Sequence, residues 1–600
     1  MRLIFGRDFG AGFRGRASES ISNLNVCESA ELGGAIFASF ESEKIDIFGL
    51  KGEREEASEY SNLKCEGDLI IAFSGDICNS NLIVAGEGFE RGLSGAQLVA
   101  SLYQKYAKDC AGRLKGEFAF VIFDRAKNEF YGARDCFGKK SLYFAICDGG
   151  LVFASTIRPV LRELKTSPNI DFTAFNSYLS FMSVPAPRTI YEGVFSLPAG
   201  SFFTLKRGES EPKISDYSGF AEVAISNLNF GQACEGAAEL ISRSLRARVS
   251  NLNANPAFLL SGGLDSAFVA ASFARDFGDS NLNSFCMGFE DGGRWDERNF
   301  ARESAEHIGA EHRGYAFSGE QFFAVAERFY DIFEQPFADS SALPFYRLAC
   351  EVRAVGFGVA LGGEGGDECF LGYPMSFRLV DFARESWRKE DYPRISKDYG
   401  WLRRKELGLP IYGGCGEVFT SVQKEYLLSS NLKHILASDP LEPYRSDYIE
   451  LREASYMDFR IWASEIAATK MARIGEAVGL RVITPLLDED LARFCLSLSD
   501  DVRYHEKTPK AILKNLAAPL VSSDVIKRKK KGFSSPFMEW LFAARGEKIA
   551  DEILRINQIL PFFDEEFVRI LVKKAAHGRF KQHVFTLWQF ARWFERSYGV

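Results

Sequence analysis

The sequence predicts a two-domain α/β chain: a strand-rich first domain, then a doubly wound parallel sheet with helical additions. Three observations carry that prediction. At 600 residues the chain is too long for one hydrophobic core. Up to about residue 205, short apolar or alternating runs are separated by Gly, Asn and Asp turns. From about Gln232 long helical periodicity takes over, with buried strands interleaved.

The strand candidates of the first part, in order, are DLIIAFSGD, EFAFVIFD, EFYGARD, SLYFAI, LVFAS and SFFTL. Residues 1–205 are therefore read as one domain. Residues 206–231, opening with the polar KRGESEPKISDYSG, are read as a linker, and residues 232–600 as the second domain. In that domain three segments share a layout. AFLL runs into SGGLDS and the helical AFVAASFARDF; NSFCMGFE is followed by a loop and by DERNFARESAEHIGA, with Asp296 as N-cap; GFGVAL runs into GGEGGDE. Strands alternating with helices make a parallel sheet, and its ligands bind where the strands end in loops. All three loops are expected to open on one crevice.

Composition excludes several classes. The chain is 46% hydrophobic and 26% charged, as ordinary globular proteins are, and its net charge of -8 argues against a nucleic-acid footprint. Only a short apolar stretch precedes Arg7 and Asp8, and no run approaches the roughly 18 apolar residues of a membrane span. Twelve scattered Cys without a CxxC pair fit reduced thiols in a cytoplasmic protein, and six scattered His give no zinc spacing.

Ser261-Gly262-Gly263-Leu264-Asp265-Ser266 lies between a buried strand and a helix. The glycines let backbone N–H groups close around an anion, the two serines add hydroxyls, and the helix points its positive end at phosphate. No GxxxxGK[ST] occurs, so this is not a P-loop ATPase. In the loop from Gly362 to Glu368, three carboxylates repel one another unless a cation or a base role accounts for them. Asp265 and Asp367 are candidate oxygen ligands for Mg2+ on a triphosphate, leaving Glu364 to face the acyl and amine groups.

Taken together, LLSGGLDS, SFCMGFE, EQPFADSSALPFY, GGEGGDECFLGY, VITPLLD and KRKKKGFSSPFMEWL stand in an order and spacing that resemble the asparagine synthetase family. The resemblance implies a PP-loop ATP pyrophosphatase fold for the second domain and a mechanism. ATP adenylates a carboxylate, pyrophosphate leaves, and an amine displaces AMP to form an amide. By motif position, Leu259 and Met287 line the adenosine, and Ser261, Gly262, Gly263, Asp265, Ser266, Gly362 and Gly363 complete the ATP site. Glu364 corresponds to a glutamate needed for the acyl-adenylate. Lys507, with Lys510 nearby, corresponds to a lysine that stabilises the pentavalent phosphorus and departing pyrophosphate.

Leu114 to Phe144 likewise resemble the family's glutaminase domain, an Ntn-type β-sandwich flanked by helices. Its chemistry is missing. The family's nucleophile is Cys at the second position, where this sequence has Arg2. The oxyanion element NGEIYN reads Ser74-Gly75-Asp76-Ile77-Cys78-Asn79, so Ser replaces the Asn donor. The SDTE element, whose Asp grips the glutamine ammonium, reads Ser94-Gly95-Ala96-Gln97. Cys27 and Cys78 are off-position and read as packing residues. A further departure is Arg481 to Asp488, where the family's EVRVPFLD has exchanged Glu for Arg481 and Arg for Ile483, which argues against free aspartate as substrate.

The leading expectation is therefore an ATP-dependent amide-forming ligase without in-chain glutamine hydrolysis. Its partners are a small-molecule or peptide carboxylate and an amine donor, either ammonia or an amine of the substrate; no nucleic acid and no membrane is expected, and a homodimer is compatible. A lasso-type peptide macrolactam cyclase is one alternative. β-Lactam synthetases carry Tyr where Glu364 stands, which weighs against that branch. A glutamine-dependent asparagine synthase is opposed by Arg2, and a non-catalytic partner protein by the intact ATP and acidic loops. tRNA thiolation would need a catalytic Cys pair and a basic face.

Overall fold

The computed structural model describes residues 68–599 except 148–149, 165–168, 251, 253–254, 279–280, 291–292, 385–386, 415, 449 and 529–534. Before residue 68 it describes the backbone of five strands. Arg2 and the side chain of Cys27 lie outside the described residues. The chain divides into two compact units, Met1–Asp171 with Ala186–Gly219, and Phe172–Pro185 with Phe220–Val600.

The first unit contains two sheets. Strands β1 (Ile4–Asp8), β2 (Val26–Leu32), β3 (Ala35–Phe40), β4 (Asp46–Leu50), β5 (Cys65–Glu66), β6 (Leu69–Ile77), β7 (Gly116–Asp124) and β8 (Glu129–Arg134) come first. They are followed by β9 (Tyr143–Cys147), β10 (Gly150–Ala154), β11 (Phe195–Ser196), β12 (Ser201–Lys206) and β13 (Lys213–Asp216). The sheets run β11-β9-β10-β1-β3-β2 and β13-β12-β8-β7-β6-β4-β5. Alternation along β6 explains the layering, because successive side chains of a strand point to opposite faces. Ile70 and Ala72 pack with Phe144, Leu151 and Phe153 of the other sheet. Ile71 and Phe73 pack on the opposite side with Leu98, Val99 and Leu102 of helix α1 (Gly95–Tyr106). The result is the expected sandwich flanked by helices.

Two features differ from the sequence expectation. Within the expected linker, Lys213–Asp216 forms an edge strand antiparallel to β12. All four of its residues are exposed, so no apolar alternation was there to read. Helix α2 (Phe172–Phe181) is counted with the second unit, where Phe175 meets Phe562 and Phe590 at ring-centroid distances of 5.4 and 4.5 Å.

The second unit is built on a five-stranded sheet, order β16-β15-β14-β17-β18, comprising β14 (Ala257–Leu259), β15 (Asn283–Phe289), β16 (Glu311–Phe317), β17 (Val359–Leu361) and β18 (Arg481–Ile483). Every neighbouring pair is parallel. The chain winds one way from β14 to β15 and β16, then returns to β17 beside β14. Between β14 and β17 the strand order reverses, and ligands bind at the carboxyl ends there. Helices that matter below are α3 (Leu264–Phe277), α4 (Arg298–His307), α5 (Ala342–Ala354), α6 (Gly366–Phe370), α7 (Thr469–Val478), α8 (Ala511–Ala517) and α9 (Ser523–Lys527). The N-cap of α4 is Glu297, not Asp296. The helix starts one residue later than expected, yet the Asp296 carboxylate still accepts the first-turn N–H of Arg298 at 3.1 Å and pairs with its guanidinium at 2.7 Å. Among the described residues no helix is long and apolar enough to cross a membrane.

Candidate active site

At the strand-order reversal lies a cavity of about 250 Å³. β14 and the loop after it supply Leu259, Ser261, Gly262, Gly263, Asp265 and Ser266; β15 supplies Met287; the loop after β17 supplies Gly362, Gly363 and Glu364. Asp367 and Lys510 complete the predicted set that lines the same space. The segment after β15 adds Glu297, so all three loops meet at one crevice.

The SGGLDS loop is locally self-supporting. The Ser266 hydroxyl accepts from the Ser261 N–H at 3.2 Å and donates to the Gly263 carbonyl at 3.3 Å. Gly263 is the N-cap of α3, and it offers no side-chain acceptor to the first-turn N–H groups. Those donors, at the positive end of a 14-residue helix, are available to an anion in the cavity. A side chain at Gly363 would begin 2.5 Å from the Ser266 backbone nitrogen, so glycine is what lets the two loops touch.

Asp265 and Asp367 converge on one cation. The Lys510 ammonium lies 2.5 Å from an Asp265 carboxylate oxygen and 2.6 Å from one of Asp367. Lys510 reaches this point from a left-handed backbone conformation, φ 56°, with its N–H bonded to the Phe370 carbonyl at 3.0 Å. That conformation costs on the order of 1–3 kcal/mol for a non-glycine residue and persists only when its surroundings enforce it. Gly372 leaves the room: a side chain there would start 2.8 Å from the Asp367 carboxyl carbon. Lys507 is exposed and does not line the cavity, although it too is left-handed at φ 55°. Motif position alone ranked it first because both lysines stand in one loop.

Lys514 and Arg528 also line the crevice and were missed by sequence reading. Burial first, and then the neighbouring Lys510 charge, lower the Lys514 pKa. Arg528 bonds the Gly262 carbonyl, and its guanidinium lies 3.9 Å from the centroid of the Phe300 ring. It belongs to the basic loop the family motif marks, which was a usable signal; the rest of that loop, 529–534, lies outside the described residues. Arg481 and Ile483 are not in the cavity wall, and Ile483 is fully buried. Parallel-strand alternation turns Val482, between them, toward Gly362, so the exchanges at 481 and 483 alter the layer beneath the crevice.

Asp265 and Asp367 are oxygen donors of the kind Mg2+ takes alongside water and phosphate oxygens, and they would hold it with their lone pairs not taken by Lys510, whose ammonium lies between them. Among the described residues no group of three or more His, Cys, Asp or Glu forms a metal cage by itself. If Lys510 is the working cation, Lys510→Met should lower pyrophosphate release about a hundredfold or more, the scale of one preorganised electrostatic contact. Lys507→Met should stay close to wild type. Removing one partner of a buried ion pair costs about 3–5 kcal/mol, so the unfolding midpoint is measured alongside. A Lys510→Met enzyme that folds and releases pyrophosphate normally would return the role to Lys507.

A helix start with free first-turn donors, facing carboxylates and a fixed ammonium at a doubly wound switch point suit the binding of an anionic nucleotide. The chain belongs to the asparagine synthase family, whose profile matches residues 236–595; a glutamine amidotransferase domain profile matches residues 56–217. It is an ATP-dependent amide-forming ligase. It is 28% identical over 529 residues to asparagine synthetase (glutamine-hydrolyzing) 1 of Bacillus subtilis, covering 84% of this chain and 81% of that one. It is 30% identical over 333 residues to a Methanocaldococcus jannaschii protein named as putative asparagine synthetase (glutamine-hydrolyzing) 2, covering 53% of this chain and 62% of that one. The amidase chyE of Penicillium rubens is 25% identical over 540 residues, covering 81% and 79%.

Ser94 and Gln97 form a reciprocal cap at the start of α1: the Gln97 N–H donates to Ser94 Oγ at 3.3 Å and the Ser94 N–H to Gln97 Oε1 at 3.0 Å. A side chain at Gly95 would begin 2.8 Å or less from three carbons of the buried Phe73 ring. Ser74, the next residue along β6, is buried. Cys78 is half-buried, with its N–H bonded to the Lys115 carbonyl at 2.9 Å.

Proposed function

We propose that this ligase joins its carboxylate to an amine that is not made from glutamine within the chain. The carrying observation is the Phe73 ring, which fills the space where the carboxylate that grips a glutamine ammonium would stand at position 95. Ser94 and Gln97, the nearest polar side chains of that element, are committed to capping α1. Substrate anchor and oxyanion donor are thus both replaced, and the amine is either free ammonia or an amine of the substrate.

In the crevice, Leu259 and Met287 take the adenosine; Ser261, Gly262, Gly263, Ser266, Gly362 and Gly363 hold the nucleotide and its phosphates. Asp265 and Asp367 would hold Mg2+, which neutralises phosphate charge when bound. A substrate carboxylate oxygen bonds to the α-phosphorus as the bond to pyrophosphate breaks. Lys510 stabilises the charge that develops, with Lys507 in the outer part of the same loop. The amine nitrogen then bonds to the acyl carbon, AMP leaves with the electron pair, and one proton is released. Glu364, on the partly open rim of the acidic loop, supports adenylate formation.

The reading is tested by measuring glutamate release from glutamine, with and without ATP and Mg2+. Release at the level of a protein-free blank is expected. Catalytic turnover would favour the second reading, glutamine-dependent synthesis, which the names of the relatives carry.

A further inference from the structure

The glycine loop after β14 contains one peptide that its own side chains cannot orient. Gly262 is left-handed, φ 72°, and Gly263 follows it in extended backbone at φ -87° and ψ 164°. With no Cβ on either side, the peptide plane between them meets little steric resistance to turning over. Its orientation matters, because the carbonyl and the N–H of one trans peptide point in opposite directions. One way round, the loop offers a donor to an anion; the other way round, it offers a carbonyl oxygen.

In the folded chain that plane is held from outside the loop. Arg528, the C-cap of α9, donates a guanidinium N–H to the Gly262 carbonyl. A second guanidinium nitrogen lies 3.2 Å from the Glu303 carboxylate of α4, and the central carbon lies 3.9 Å from the centroid of the Phe300 ring on the same helix. The Glu303 side chain is largely exposed, so that ion pair contributes little by itself. The ring and the carbonyl do most of the holding. Helix α4 also closes on the loop, since a side chain at Gly262 would begin 2.6 Å from Phe300 Cβ. With its carbonyl on Arg528, the peptide turns the Gly263 N–H the other way, toward Ser261 Oγ at 3.4 Å. That bond is long, and Ser261 itself lines the cavity. The N–H can therefore serve a phosphate oxygen together with the first-turn donors of α3.

We propose that Arg528 is a positioning residue for the nucleotide phosphates: it fixes the Gly262–Gly263 peptide with the Gly263 N–H toward the anion. The planar guanidinium suits this role, because it bonds a carbonyl, reaches a carboxylate and lies against a ring at once, which an ammonium on a flexible stem does not. The inference rests on the adenylation reading above.

The test uses the full chain with Mg2+, titrated by calorimetry with α,β-methylene ATP, which cannot release pyrophosphate, and with adenosine, which carries no phosphate. Unfolding midpoints are measured for each variant. Arg528→Met is expected to weaken the analogue about tenfold or more, the size of one charge-assisted hydrogen bond, and to leave adenosine binding unchanged. Arg528→Lys keeps the charge in the crevice but loses the planar fork, and it should recover little of that loss. Phe300 is not part of the cavity wall, and Phe300→Leu, which removes the ring behind the guanidinium, should weaken the analogue about threefold. Wild-type affinity for the analogue in a folded Arg528→Met protein overturns the proposal. Equal weakening of analogue and adenosine also overturns it, because it marks a merely structural arginine. Full recovery in Arg528→Lys overturns it as well, because it marks a direct charge contact with phosphate. If Arg528→Met does not fold, Phe300→Leu decides by the same split between analogue and adenosine. A wild type that fails to bind the analogue overturns the adenylation reading and this inference together.

Discussion

Alanine at Asp265 or at Asp367 is expected to reduce Mg2+-dependent AMP formation about a hundredfold or more, by analogy with single electrostatic contacts at reacting centres. Both carboxylates approach one point from opposite loops, one opening α3 and the other opening α6. Removing either leaves triphosphate charge uncompensated in a crevice of reduced dielectric, where an uncancelled charge matters far more than in water. It also deprives the Lys510 ammonium of one of its two carboxylate partners, Asp265 with oxygens at 2.5 and 2.6 Å or Asp367 with one at 2.6 Å, so the fixed cation loses its position as well. Neither substitution opens a large cavity, and unfolding midpoints should show folded protein. The measurement is AMP produced against Mg2+ concentration. A folded variant that retains most of its activity and its Mg2+ response would remove that residue from the metal site.

Glu364→Gln is expected to separate the two halves of the reaction. If Glu364 supports adenylation, pyrophosphate release falls for every amine offered. If it only deprotonates the attacking amine, release continues and acyl-adenylate accumulates. General-base contributions are about a hundred- to ten-thousandfold, so either defect is large. Gln keeps the volume and one oxygen acceptor, and Glu364 sits on a partly exposed rim, so the fold is not put at risk. Pyrophosphate and amide product are followed in one time course with the true carboxylate. Normal pyrophosphate release with normal product would leave Glu364 without a catalytic role.

Much of the site was legible because its signals are local. A glycine-rich hexapeptide between an apolar strand and a helix, and a carboxylate-rich loop after another strand, each need only a few neighbouring residues to be recognised. What lies on distant elements was not legible. Lys470 stands in a helix with no motif of its own, and its place in the cavity wall appears only when Asp339 and Ser341, more than a hundred positions earlier, are found against it. Separating Lys510 from Lys507 had the same obstacle: both are left-handed in one loop, and only the contacts of the folded chain, with Lys510 packed against Gly372 and its ammonium on the two carboxylates, show which one reaches them. The edge strand Lys213–Asp216 escaped notice because an exposed ladder leaves no hydrophobic period.

By itself, then, the sequence determined the two sheet architectures, the glycine-rich loop after β14 and the acidic loop after β17. These are set by short-range chemistry: strand alternation, glycine at turns, charges clustered within one loop. The tertiary structure decided that the Phe73 ring packs against Gly95, that Asp265 and Asp367 share one ammonium, and that the residues at 481 and 483 lie outside the cavity wall. Each of these depends on which side chains meet across sheets and loops far apart in the chain, where packing and charge pairing, not local propensity, select the arrangement.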